Sequence, residues 1–225
     1  MGSDDLFHKR KARDAAALKR NSVLRAQNRR YLLVCEGTKT EPQYFRELLD
    51  DLRIRPHVVR VEPNDGPSPD RVVDHALHLY YEDAGGGDAY DMVYCVFDRD
   101  SHTTFNAAVQ RTKDLTASGQ PLTAITSTPC FEFWLLLHFG YTAQPFHKAG
   151  KRSVGDQAVA ALKNQTEFSN YGKGQKGIYA KLKGRLPAAI TNAGKLRAHN
   201  IATHTDNPST DVDRLISDIR AVAPS

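Results

Sequence analysis

Residues 92–100 read MVYCVFDRD: six apolar or aromatic positions, then two aspartates separated by one arginine. An unbroken apolar run of this length, rich in β-branched and aromatic side chains, predicts a strand buried on both faces, as in a parallel sheet. Asp98 and Asp100 then stand where the strand should end. The stretch YLLVCEG at 31–37 repeats the pattern, with Glu36 after the apolar run and Gly37 behind it, and PCFEFWLLLHF at 129–139 sets Glu132 in a third apolar stretch. Open α/β sheets bind ligands beyond the carboxyl ends of their strands. Carboxylates gathered there repel one another unless a hard cation such as Mg²⁺ lies between them.

Working outward from these runs, strands alternate with helices. Tyr44, Phe45, Leu48, Leu49 and Leu52 follow a helical period after the first strand, with Thr40 as the expected N-cap and Pro42 in the first turn. A strand is expected at His57–Val61, closed by the turn-rich PNDGPSP. Val72, Val73, Ala76, Leu77 and Tyr80 give the next helix, ending before Gly85-Gly86-Gly87. A helix over about 104–117, a strand at Leu122–Thr126 and a buried helix after Pro129 complete the series. This order predicts an α/β fold: right-handed crossovers and a mostly parallel sheet with helices on both faces.

From residue 144 the strand signals stop. Helical patterns replace them over Asp156–Lys163, Gly177–Leu186 and Ala188–His199, and NPSTDVDRLISDIRAVA reads as a terminal helix with Ser209 or Thr210 near its start. Three segments are expected: a basic arm at 1–30, an α/β core at 31–143, and a basic helical extension at 144–225 that returns to the core.

Charge follows the same division. Residues 1–30 carry nine Lys/Arg against three acids, and residues 144–200 carry eleven against two, whereas the rest of the chain is net acidic. Basic flanks around an acidic, cation-requiring centre suit a polyanionic substrate; solvated lysine faces are the plainer reading. No apolar run approaches the ~18 residues of a membrane span, and the basic N-terminus lacks the apolar stretch of a secretory signal. Cys35, Cys95 and Cys130 form no CxxC pair and sit in or beside apolar runs, as buried small hydrophobes of a reducing cytoplasm do. No HExxH, GxSxG or GxxxxGK[ST] motif is present, which argues against a zinc protease, an esterase and a P-loop ATPase.

Glu36, Asp98 and Asp100 are the expected metal ligands. Mg²⁺, or Mn²⁺ in its place, needs only two or three carboxylates and keeps several waters. Asp at a strand end is also a common turn former, and a lone DxD is weak by itself. Residues 172–177, GKGQKG, match GxGxxG, but no apolar strand precedes them and Arg197 stands where a ribose-binding acid belongs. They are read instead as a loop with Lys173 and Lys176 on a nucleic-acid backbone, Tyr171 stacking on a base, and Lys39 and Lys181 adding contacts; a mobile surface loop is the alternative. His102 is either an acid–base or phosphate-contacting group or a turn histidine, Trp134 is core rather than a base-stacking platform, and Glu41 is read as a helix-start acid, with a role beside the metal as the alternative.

VCEGTKTEPQYF, VFDRD, STPCFEFWLLLHF and the terminal NPSTDVDRLI together resemble the RloB-like family. That family is associated with anti-phage loci, and its core is related to Toprim, the metal-binding domain of bacterial primases, topoisomerases and OLD-type nucleases. The resemblance implies that Glu36 is the Toprim glutamate, that Asp98 and Asp100 are its DxD, and that Glu132 is either a further catalytic carboxylate or a structural one. It implies a Mg²⁺-dependent nuclease in phage defence, cytoplasmic, acting with or without a partner such as a defence-system ATPase. RNA, tRNA above all, is the expected substrate. A DNA endonuclease and a catalytically silent nucleic-acid-binding or sensor subunit are the alternatives.

Overall fold

The computed structural model describes residues 29–64, 66, 68–87, 89–100, 102–148, 150 and 152–224. The basic arm read at 1–30 lies outside them except for its last two positions. The sheet comprises β1 (Tyr31–Cys35), β2 (Val59–Pro63), β3 (Met92–Asp98), β4 (Leu122–Thr128) and β5 (Ser209–Thr210), in the order β2-β1-β3-β4-β5. The first four strands are parallel, in keeping with the continuous apolar runs of β1 and β3, and β5 is antiparallel to the end of β4.

Alternate residues of β1 face opposite ways. Tyr31, Leu33 and Cys35 join one apolar cluster, with Tyr44, Phe45, Leu48 and Leu49 of α1 (Thr40–Asp51). Leu32 and Val34 join the other, with Val72, Val73 and Ala76 of α2 (Pro69–Gly85) and Ala108 of α3 (Phe105–Ala117). The chain runs from β1 over α1 to β2 and then from β2 back over α2, past β1, to β3; opposite directions on opposite faces keep both crossovers right-handed. Helices therefore cover both faces, as expected.

The first face is completed by later elements: α4 (Phe131–Leu136), α5 (Val154–Lys163), α6 (Ile178–Leu182), α7 (Leu186–Thr203) and α8 (Val212–Ala221). Trp134 at 0 % exposure is core, and Leu162, Leu182, Leu196 and Leu215 pack into the same cluster. Among the described residues no helix is long and apolar enough to cross a membrane.

Two local expectations need refinement. Thr210 does stand near the start of the last helix, its hydroxyl accepting the Val212 N–H at 3.3 Å, but Ser209 and Thr210 also pair with Thr128 and Ser127 as a two-residue strand, too short to leave any period in the sequence. Asp211 directly precedes α8, its N–H donating to the Thr126 carbonyl at 2.9 Å. Thr40 is not the N-cap of α1 but its first helical residue, after Lys39, and its hydroxyl oxygen accepts the N–H of Gly174 at 3.0 Å.

Candidate active site

The strand order reverses direction between β1 and β3, and such a switch point opens a crevice at the carboxyl ends of the strands. The register Cys35↔Val96 places Glu36 and Asp98 side by side on its two walls. The Glu36 N–H donates to the Val96 carbonyl at 2.8 Å, extending the ladder by one residue. Its carboxylate Oε2 accepts the Asp98 N–H at 3.0 Å, and Oε1 lies 2.9 Å from His102 Nε2. His102 thus contacts the Glu36 carboxylate as well as standing in the turn. Gly37 has a steric reason: a Cβ there would collide with the Glu41 carboxylate, which lies against the turn.

Asp98 Oδ2 accepts the Phe131 N–H, at the start of α4, at 3.1 Å. Burial, reinforced by Glu41, Glu132 and Glu36, pushes the Asp98 carboxyl well above the usual carboxylate range. Burial, then Glu132 and Glu36, raises Glu41 to about 7. Glu36 is also raised, by burial first and then by Asp100, against the pull of the Asp98 N–H and His102. Glu41 therefore lies in the first turn of its helix, as read from sequence, and also belongs to the carboxylate cluster, the alternative reading of this residue.

β3 ends at Asp98, and Asp100 sits in the turn behind it with φ at 27°, a region that Asp tolerates better than most side chains. Its N–H donates to the Pro129 carbonyl at 2.9 Å. Its carboxylate faces Gly155 of α5, and Oδ1 is buried with no hydrogen-bond partner. Arg99, between the two aspartates, turns away to pair with Asp206 at 2.5 Å.

Glu132 is 2 % exposed in the first turn of α4 and accepts the Tyr171 hydroxyl at 2.8 Å. This corrects the reading of Tyr171 as a base-stacking platform: the residue is 2 % exposed and its hydroxyl is committed to Glu132. Tyr179 is likewise buried, with its hydroxyl on Asp51 at 2.9 Å.

Lys173 is the largest surprise. The residue is exposed, and the acids of the crevice raise the pKa of its ammonium. Burial alone would lower that pKa, but Glu132, Cys130, Asp98 and Glu41 outweigh the effect. The GKGQKG loop that carries it is fastened to α1. Besides the Gly174–Thr40 bond, Glu47 accepts the N–H groups of Gly177 at 2.6 Å and Tyr179 at 3.0 Å, and Asp51 pairs with Lys183 at 3.0 Å. Gly174 has φ 85°, and a Cβ on it would meet Lys39 Cδ at 2.8 Å. The loop thus brings Lys39 and Lys173 to one rim of the crevice. Lys176 and Lys181 are exposed, and Lys181 Nζ lies 5.6 Å from the Phe168 ring centroid.

The donor set suits a hard divalent cation: oxygen ligands only, one buried carboxylate oxygen without a partner, and neighbours whose ionisation is suppressed by mutual repulsion and burial. Among the described residues, no three His, Cys, Asp or Glu side chains form a ready-made metal cage, and Glu36 and Asp98 are engaged by His102 and by backbone N–H groups. Glu36, Asp98 and Asp100 are the side chains that would hold such an ion. Cys35, Cys95 and Cys130 are buried and unbridged, and burial raises all three thiols, which disfavours a thiolate nucleophile.

The family described as RloB-like protein matches residues 31–219, which takes in the whole sheet, the carboxylate crevice, the Lys173 loop and most of α8. No curated protein and no solved structure matches the chain.

Proposed function

This chain belongs to the RloB-like family, and from that premise we propose that it is a Mg²⁺-dependent nuclease of phage defence that cleaves RNA, with tRNA the preferred substrate. The observation that carries the reading is the pairing of Glu36 with Asp98 across the switch point of a parallel sheet, beside an Asp100 carboxylate with a buried, partnerless oxygen. A structural role alone gives no reason to gather carboxylates whose ionisation is opposed by burial and by one another.

Glu36, Asp98 and Asp100 would hold a divalent ion, which would activate a water and offset charge on the departing oxygen. In hydrolysis the water oxygen gives up a proton and bonds to phosphorus while the bond from phosphorus to the leaving sugar oxygen breaks, and that leaving oxygen takes up a proton. His102, oriented through Nε2 by Glu36 and 30 % exposed in its side chain, is the group placed to move this proton. Lys39, Lys176 and Lys181 are exposed cations for the flanking phosphates. With Tyr171 and Tyr179 buried, stacking on these rings contributes nothing to substrate grip. The preference for RNA rests on an unpaired loop that enters the crevice without melting a duplex.

A second reading, a silent binding subunit, is favoured by the hydrogen bonds that already engage Glu36 and Asp98. Incubating the protein with total RNA, plasmid and single-stranded DNA, in Mg²⁺, Mn²⁺ or EDTA, separates these readings. Discrete tRNA fragments that vanish in EDTA are expected. Plasmid linearisation with intact tRNA indicates a DNA endonuclease, and binding without cleavage under both metals indicates the silent subunit.

A further inference from the structure

The carboxylate cluster has two lobes that share Glu36 and Asp98. One lobe holds Asp100, with its partnerless Oδ1 facing Gly155, and His102 on Glu36. The other holds Glu41, packed against Gly37, and Glu132, bonded to Tyr171. Arg99, the cation nearest the first lobe in sequence, is drawn off to Asp206. The second lobe has a cation of its own, delivered from far along the chain.

That delivery is built into the backbone. Two residues before Lys173, the Tyr171 hydroxyl is fixed to Glu132; one residue after it, the Gly174 N–H is fixed to Thr40 at the start of α1. Glu47, about two turns along α1, grips Gly177, Tyr179 and Ala180 through their N–H groups. A loop that served only to trail over a polyanion would gain nothing from anchors on both sides of one lysine. These anchors fix the backbone at Lys173 between Glu132 and the start of α1, beside Glu41, and the carboxylates of that lobe raise the pKa of its ammonium.

Phosphodiester cleavage in a carboxylate crevice commonly employs two divalent ions, one for the attacking oxygen and one for the leaving oxygen. We propose that Lys173 supplies the second positive charge of this site, so that a single divalent ion, held by Glu36, Asp98 and Asp100, completes it. The Glu41–Glu132 lobe then takes no metal. In the transition state the ammonium stabilises the extra negative charge on the non-bridging phosphate oxygens, and no bond to Lys173 forms or breaks. This inference rests on the metal-dependent nuclease reading above.

The test is Mn²⁺ titration of the full chain by calorimetry, without nucleic acid, alongside cleavage kinetics. Wild type is expected to bind one Mn²⁺ per chain. Lys173→Met, which keeps much of the side chain's length without its charge, should admit a second Mn²⁺ at the vacated lobe. It should also lose on the order of 100-fold in kcat with little change in KM, as for removal of one transition-state charge partner. Lys173→Arg, which retains the cation, should return to one Mn²⁺ and recover part of the rate. Two ions on wild type overturn the proposal while leaving the nuclease reading intact. So does a Lys173→Met protein with one ion, unchanged kcat and a raised KM, the behaviour of an ordinary phosphate-binding lysine. Failure of wild type to bind any Mn²⁺ overturns both.

Discussion

The hydroxyl of Tyr171 donates to the carboxylate of Glu132 at 2.8 Å, with both residues 2 % exposed. The bond joins the basic extension to the α/β core at the floor of the crevice. Tyr171→Phe keeps the ring packing and leaves a buried carboxylate short of a donor, so it should cost about 1–3 kcal/mol in urea unfolding. RNA affinity should be unchanged, since the ring is not available for stacking. A variant of wild-type stability with weakened RNA binding would restore the stacking role.

Asp98 is held above the ordinary carboxylate range by burial and by Glu41 and Glu132. A group whose folded pKa is raised contributes stability at low pH that is lost as pH climbs through the folded value. Asp98→Asn removes this loss, and its amide oxygen can still accept the Phe131 N–H. Without metal at neutral pH, the variant should therefore melt at a higher temperature than wild type. Adding Mg²⁺ should raise the melting temperature of wild type, because only the folded chain presents the ligand set, and should leave the variant nearly unmoved. Cleavage should be abolished. An equal Mg²⁺ response in both proteins would remove Asp98 from the ligand set.

How legible each feature is in the sequence depends on how it is encoded. The run at Met92–Asp98 announces a buried parallel strand because both of its faces are covered, and a strand end fixes where Glu36 and Asp98 must stand. β2 lies two residues later than expected, at Val59–Pro63 rather than 57–61, because its alternation continues beyond either boundary. The two-residue β5 exists only by pairing with β4 and has no signal of its own. Tyr171 reads as a surface group although it is buried, since nothing local tells that a glycine-rich loop will be tied to α1. The partners Thr40, Glu47 and Glu132 are tertiary information. The proximity of Glu41 to Glu36 is signalled by Gly37, whose missing Cβ makes room for that carboxylate.

Exposed cations at the crevice rim should report themselves through salt. Lys39 precedes α1, Lys176 lies in the Gly174 loop and Lys181 stands on α6, all three exposed. For a single-stranded substrate, each phosphate that a protein ceases to neutralise flattens the slope of log K against log salt by about 0.7. Lys39→Ala and Lys176→Ala should each weaken RNA binding and flatten the slope by about that amount. An unchanged slope for both would mean that the rim does not carry the nucleic-acid backbone.

His138 offers a pH test remote from the carboxylates. It is 3 % exposed, its ring packs edge-on to Trp134 with centroids 4.8 Å apart, and its Nδ1 lies 3.1 Å from the Trp134 carbonyl. Nε2 has no partner, so a proton added there would be buried unpaired. Burial, with Arg185 nearby, lowers the pKa from 6.5 to about 4. Between these values the unfolded chain binds a proton that the folded chain refuses, so stability is complete above the unfolded pKa and falls as pH drops toward 4. A depression of this size is worth about 3 kcal/mol at the acid end. His138→Leu forfeits the bond to the Trp134 carbonyl but has nothing to protonate. Between pH 7 and pH 4, the urea-unfolding free energy should fall about 3 kcal/mol further for wild type than for the variant. Carboxylates titrate in both proteins and cancel in that difference. Parallel profiles would show that His138 is protonated in the folded chain, and hence that water reaches Nε2.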